Sequence, residues 1–136
     1  MKLLMFYVHE WWHKTASKSL PEAPDAEGEG SVKEAVAVFF HSEAEDEGRR
    51  AAVLQKFVKN IKWIAGKFGT KNVVLHSFNH LSLSKSSPKF ARALLEEAVE
   101  RLERTGYNVI HTPFGYFNQF RMHVAGDSLA KVYKEF

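Results

Sequence analysis

The sequence predicts a single α/β domain with a mixed β-sheet and two main crossover helices. Three observations carry this. Short apolar runs recur at 2–8, 34–41 and 72–77, with the length and composition of buried strands. Two segments of helical periodicity lie between strands, at 49–67 and after Ser87-Pro88. The chain has 136 residues, 45% of them hydrophobic, which suits one core.

The elements follow in order. Lys2 to Val8 reads as a first strand, being short and almost wholly apolar. It is too short for a signal sequence and lacks a small-residue cleavage site. Residues 14–31 are polar and hold Pro21, Pro24, Gly28 and Gly30, the composition of a surface loop. Glu34 to His41 is a second strand, and an acidic turn, Glu43 to Gly48, follows. In 49–67, Val53, Phe57, Ile61 and Ile64 recur at helical spacing, and Gly66 and Gly69 mark the end. Asn72 to Ser77 is a third strand.

Ser87-Pro88 then opens a helix, because serine caps and proline suits the first helical position. Phe90, Leu94, Ala98 and Leu102 form its apolar stripe, and Gly106 closes it. Residues 107–112 and 117–124 read as strands, and Gly126 to Tyr133 as a short last helix. Two helical crossovers between strands imply parallel neighbours in the sheet. No internal repeat or second domain is visible.

Charge and composition narrow the chemistry. No apolar run approaches 18 residues, so no membrane-spanning helix is predicted. There is no cysteine, which excludes disulfides, thiolate metal sites and a cysteine nucleophile, and a cytoplasmic location is the default expectation. Six basic and ten acidic side chains give residues 1–50 a net −4; thirteen basic and six acidic give 51–136 a net +7. The basic half reads either as a surface for a polyanion such as RNA or as a solvated lysine-rich helix face.

His9-Glu10-Trp11-Trp12-His13 matches the H-E-x-x-H zinc pattern by letter. That motif works on a helix, where both histidines share a face and glutamate is the base. Here it follows a strand and runs into a Pro/Gly segment, and no third ligand is evident. We therefore expect no metal and no cofactor. A zinc hydrolase would lose activity to a chelator. The tryptophans instead read as capping the core edge or lining a groove.

Two other segments carry signal. His76-Ser77-Phe78-Asn79-His80-Leu81-Ser82 follows the third strand, where open α/β folds place ligands; it is a site or a loop bonding its own backbone. Thr112-Pro113-Phe114-Gly115-Tyr116-Phe117-Asn118-Gln119-Phe120 sets four aromatics around a glycine: a base-stacking platform or a core edge. No G-x-S-x-G elbow, phosphate loop or obvious carboxylate pair is present.

Together these segments resemble a known family. Phe78-Asn79-His80-Leu81-Ser82, Lys85 and Pro88, Gly106-Tyr107-Asn108-Val109, Thr112 through Phe117, and Gly126 with Ser128-Leu129-Ala130 occur in that order. This is similar to the N-terminal editing domain of archaeal threonyl-tRNA synthetase, with its P-F-A-H-L-S, G-F-N-V, A-P-F-G-Y-Y-K and G-H-P-L-A-E elements. The resemblance is strong over 72–131 and weaker, but colinear, over the first two strands. It implies a D-aminoacyl-tRNA deacylase-like fold, a homodimer, and hydrolysis of serine mis-esterified to tRNA(Thr). It also implies that residues 1–136 are one editing domain, excised from or related to a longer synthetase whose other domains act in cis or in trans.

By the same resemblance, Phe78, Asn79 and His80 lie beside the ester. The backbone at Glu43 helps hold the aminoacyl group. Phe114 and Phe117, with Gly115 and Tyr116 between them, line the pocket for the terminal adenosine. The chain departs from the pattern at Asn79 for alanine, Phe117 for tyrosine, Asn118 for lysine and Lys131 for glutamate. If positions 118 and 131 face each other, Lys131 replaces the missing lysine; otherwise it is an exposed helix residue. His80 is either a general base or a hydrogen-bonding partner of its loop.

The chemistry fits. Serine differs from threonine by one methyl group, and a binding site exploits such a difference only about 10–200-fold. A second, hydrolytic site that admits serine and crowds threonine closes the gap. An activated ester needs only positioned water, which the family orients with the terminal 2′-hydroxyl, and electrostatic stabilisation. The alternatives are a D-aminoacyl-tRNA deacylase and a non-catalytic tRNA-binding module.

Overall fold

The computed structural model describes residues 1–136. Its spine is β1 (Lys2–Lys18), which pairs antiparallel with β2 (Glu29–His41) from Lys2↔His41 to Lys14↔Glu29. β3 (Asn72–Ser77) runs parallel to β2, and β4 (Asn108–His111) parallel to β3. The other edge of β1 is shared by β5 (Tyr116–Val124) and β6 (Lys131–Glu135), both antiparallel. The order is β4-β3-β2-β1-β5, with β6 beside β1.

α1 (Arg50–Lys67) links β2 to β3, and α2 (Pro88–Arg104) links β3 to β4. A 3₁₀ turn, Ala44–Arg49, occupies the acidic turn before α1. The predicted cap is present: Ser87 Oγ accepts from Phe90 N–H at 3.2 Å, with Pro88 next to it. Gly106 ends α2 at φ +93°, a conformation that glycine adopts without a Cβ penalty.

Both helices pack into one core. Strand alternation sends Val36, Val38 and Phe40 into that cluster with Leu54, Phe57, Ile61 and Leu94. The intervening Ala35, Ala37 and Phe39 point to the other face, against Val8, Trp11 and Val74. Burial on both faces explains why β2 and β3 read as continuous apolar runs rather than alternating ones.

Two expectations are corrected. The loop predicted at 14–31 is shorter at both ends: 14–18 and 29–31 belong to strands, and 19–28 leaves the sheet. Its polar residues pair across the hairpin, with Thr15 N–H donating to Gly28 at 2.8 Å and Trp12 Nε1–H to Glu29 Oε1 at 2.8 Å. The last helix is also absent. Ser128–Ala130 forms one 3₁₀ turn, and Lys131–Glu135 completes the edge of β1.

Strand geometry also separates the histidines of the H-E-x-x-H match. Four residues of β1 span roughly 13 Å, so His9 and His13 do not converge as they do on a helix. His9 meets Glu34 at 3.1 Å on the surface, while His13 is buried and accepts from Trp11 Nε1–H at 2.9 Å.

Candidate functional site

A cavity of about 560 Å³ opens at the carboxyl ends of β2, β3 and β4, within the range of small-ligand sites. Three chain segments build most of it: the loop after β3, the start of α2, and the turn from β4 into β5; Ser19, Leu20 and Ser42 complete the wall. The loop is held from below. His41 Nε2–H donates to the Ser84 carbonyl at 2.7 Å and Nδ1 accepts from Leu81 N–H at 3.1 Å.

Eight expected residues line this one cavity: Phe78, Asn79, His80, Phe114, Gly115, Tyr116, Phe117 and Asn118. Phe78 packs edge-on to Phe39 at 5.2 Å, and His80 edge-on to Phe78 at 4.9 Å. Phe117 is 63% exposed, an apolar ring at the mouth. The Tyr116 hydroxyl donates to the Pro24 carbonyl and accepts from Ala26 N–H, both at 2.8 Å, so it ties down the 19–28 loop. Asn118 is half-buried; its Nδ2 donates to the Tyr116 carbonyl at 3.2 Å and its Oδ1 has no partner.

Gly115 is required by two constraints. Its φ is +85°, and a Cβ there would lie 2.8 Å from Ala23 Cβ. Its carbonyl accepts from Ser19 and Leu20 N–H at 2.8 and 3.1 Å, which brings that loop to the cavity wall. Gly115→Ala should lower the unfolding free energy by about 1–3 kcal/mol in urea denaturation, from left-handed strain plus the clash. An unchanged midpoint would contradict this close approach.

Two expected residues stand elsewhere. Glu43 is buried behind the wall, where its carboxylate accepts from the Met1 amine at 2.9 Å and Ser82 Oγ at 2.8 Å. Its backbone N–H is taken by Asp46 Oδ2 at 2.8 Å, and Ser42 lines the cavity in its place. Burial pushes the Glu43 carboxyl up, but the bonds from the amine and Ser82 outweigh it and hold it below its ordinary value.

Lys131 does not face Asn118. Lys131 pairs with Phe6 and Asn118 with Thr15, nine residues along β1 or roughly 30 Å. Its ammonium donates to the Ala125 carbonyl at 3.0 Å. The expected exchange across a shared pocket therefore fails, because residue 131 begins an edge strand at the opposite end of β1.

Lys85 is instead the one lysine or arginine on the cavity wall; it makes no ion pair, and no carboxylate lines the cavity. At the floor, His76 Nδ1 lies 2.9 Å from Thr112 Oγ1, among Phe39, Phe120 and Trp11 rings at 5.0, 5.3 and 6.1 Å. Burial, and then the nearby His13 charge, lowers the His76 pKa to about 4, so the ring is neutral at neutral pH. The strand-end position of His76 and Thr112 could have marked both. Nothing local in the sequence marks Ser19, Leu20 or Ser42.

This arrangement defines a class: an α/β domain with a D-aminoacyl-tRNA deacylase-like fold and an aromatic, carboxylate-free crevice at its parallel strand ends. A solved structure titled c-Myc DNA Unwinding Element Binding Protein shares the fold, with a TM-score of 0.72 over 100% of this chain and 99% of that one, at 13% identity. All of residues 1–136 match the model of the archaea-specific editing domain of threonyl-tRNA synthetase, and the chain belongs to that family, which serves proofreading in translation.

The relatives are threonine–tRNA ligases of archaea. That of Hyperthermus butylicus is 30% identical over 142 residues, covering 100% of this chain and 23% of the relative. That of Thermococcus onnurineus is 32% identical over 97% of this chain and 22% of its own length. That of Nanoarchaeum equitans is 38% identical over 74% and 16%. The chain thus spans under a quarter of the length of the curated relatives it matches.

Proposed function

We propose that this domain hydrolyses the ester of L-seryl-tRNA(Thr) and spares threonyl-tRNA(Thr). The observation that carries the reading is the composition of the crevice: aromatic walls, one unpaired ammonium and no carboxylate. Such a site suits a nucleoside with a phosphate nearby. It also suits a reaction in which water, not a side chain, is the nucleophile. Water adds to the acyl carbonyl, the ester C–O bond breaks, and the terminal 3′-oxygen takes the proton, releasing serine and intact tRNA.

The free 2′-hydroxyl orients the water. Asn79 and His80 line the cavity, and their backbone N–H groups, which no protein acceptor takes, are the donors that receive the oxyanion in this reading. His80 has no hydrogen-bond partner in its loop and is free to contact water or the ester oxygens. Phe114 and Phe117 stack the terminal adenine. Lys85, rather than Lys131, supplies the ammonium and holds a phosphate of the tRNA end from a wall shared with the start of α2.

Around this core reading we place a two-fold homodimer, the remaining synthetase modules in cis or in trans, and a cytoplasmic setting. No helix is long and apolar enough to cross a membrane.

The test is a deacylation time course on Ser-tRNA(Thr) and Thr-tRNA(Thr), with and without the terminal 2′-hydroxyl. Serine should be released, threonine retained, and the 2′-deoxy substrate slowed. Release of D-amino acids alone, or binding without release, would support the two alternatives instead. Lys85→Met should lower kcat/KM by about tenfold, the loss of one charged contact, whereas Lys131→Met should stay within about twofold. The reverse outcome would restore Lys131 and remove Lys85.

A further inference from the structure

The residues leaving β2 sit in a network whose polar atoms are almost all paired. Both His41 nitrogens are bonded, to Ser84 and Leu81. Glu43 uses its N–H and both carboxylate oxygens. Ser82 Oγ accepts from Ser84 N–H at 3.1 Å, and Ser84 Oγ from Ala44 N–H at 3.0 Å. Between His41 and Glu43, the Ser42 carbonyl accepts from Ser86 N–H at 3.0 Å.

One atom is left over. Ser42 is 3% exposed, lines the cavity, and its Oγ has no partner. Buried hydroxyls are nearly always hydrogen-bonded, so an exception on a cavity wall calls for a partner from outside the chain. Asn118 Oδ1 is a second unpaired atom on this cavity, but its cross-strand neighbour is Thr15, whose Oγ1 is also unpaired. Those two belong to directly paired residues on adjacent strands. Ser42 stands on the cavity wall, with its Oγ just beneath the surface.

We propose that Ser42 Oγ is a specificity-determining contact that takes the side-chain hydroxyl of the acyl group; this rests on the seryl reading above. A hydroxyl both donates and accepts, as Ser42 Oγ does, whereas the α-ammonium only donates. The contact selects for acyl groups that carry a hydroxyl. Seryl is therefore separated from alanyl by a hydrogen bond, independently of the steric crowding that separates it from threonyl. The unpaired hydroxyl destabilises the empty domain, which gives the proposal a signature that a structural role lacks.

The experiment compares the full chain with its Ser42→Ala variant. The probes are 3′-deoxy-3′-(L-serylamino)adenosine and its L-alanyl counterpart, amides that are not hydrolysed as esters are. Calorimetry should show the wild-type chain binding the seryl probe at least about tenfold tighter than the alanyl one, and Ser42→Ala reducing that preference below about threefold. The free variant should melt no lower than wild type. Wild-type protein that binds the two probes equally, or neither, overturns the proposal. So does a variant that keeps the preference, or one that melts lower while keeping it, which would assign the hydroxyl to the fold. Because the probes report binding, a chain that fails to release serine from tRNA would end the hydrolytic reading without deciding this contact.

Discussion

Trp11→Ala should lower the unfolding free energy by about 3–5 kcal/mol. Trp11 lies in the middle of the H-E-x-x-H match, yet its task is packing. It is fully buried, stacks on Phe120 at 5.3 Å with the planes 8° apart, and meets Phe39 edge-on at 6.1 Å. Its Nε1–H also donates to His13 Nδ1, which the substitution leaves buried and unpaired. The face opposite the helices has only one small buried cluster, so a hole there has few neighbours to fill it. Phe120 lines the cavity, and the loss should therefore also blunt substrate binding. Urea unfolding checks the stability; a cost under about 1 kcal/mol would show that the second face is not a packed core.

Stability should fall as the pH drops from about 6.5 toward 4, by roughly 3 kcal/mol from His76 alone. Burial, then the His13 charge, lowers the folded pKa of His76 from 6.5 to about 4. His13 is lowered too, by burial and then by His111. Between the folded and unfolded values the unfolded chain binds the proton and the folded chain does not, so acid favours unfolding across that window. Glu43 adds to this at lower pH. Its depressed pKa contributes stability above the ordinary carboxylate value, and that stability is lost as pH falls through the folded value. Urea midpoints at pH 7, 5.5 and 4.5 should decline steadily, and His76→Gln should flatten the slope. Equal midpoints across the series would show that His76 is not held neutral by burial.

The difference between sequence and structure follows the reach of each interaction. The parallel half was legible because its signals are local. Apolar runs marked β2 and β3, Ser87-Pro88 marked the start of α2, and Gly106 marked its end. Placing two loops at adjacent strand ends then sufficed to join Phe78–His80 with Phe114–Asn118. The antiparallel half was legible only in part: 2–8 and 117–124 read as strands, but the length of β1 and its pairing did not. Residues 14–18 and 29–31 are polar, and nothing near them in the chain says that β5 and the hairpin partner will pair with both edges.

Lys131 shows the same limit most clearly. The resemblance offered it as a replacement for the missing lysine if it faced Asn118, but register on β1 puts the two at opposite ends of one long strand. By itself, the sequence determined the fold class, the two long helices, the family and most of the crevice, because periodicity, caps and motifs act within a few residues. Only the tertiary structure decided which lysine reaches the cavity, that Glu43 is a strut, and that the Ser42 hydroxyl is buried without a partner. Strand register and burial depend on residues far apart in the chain, and no local pattern encodes them.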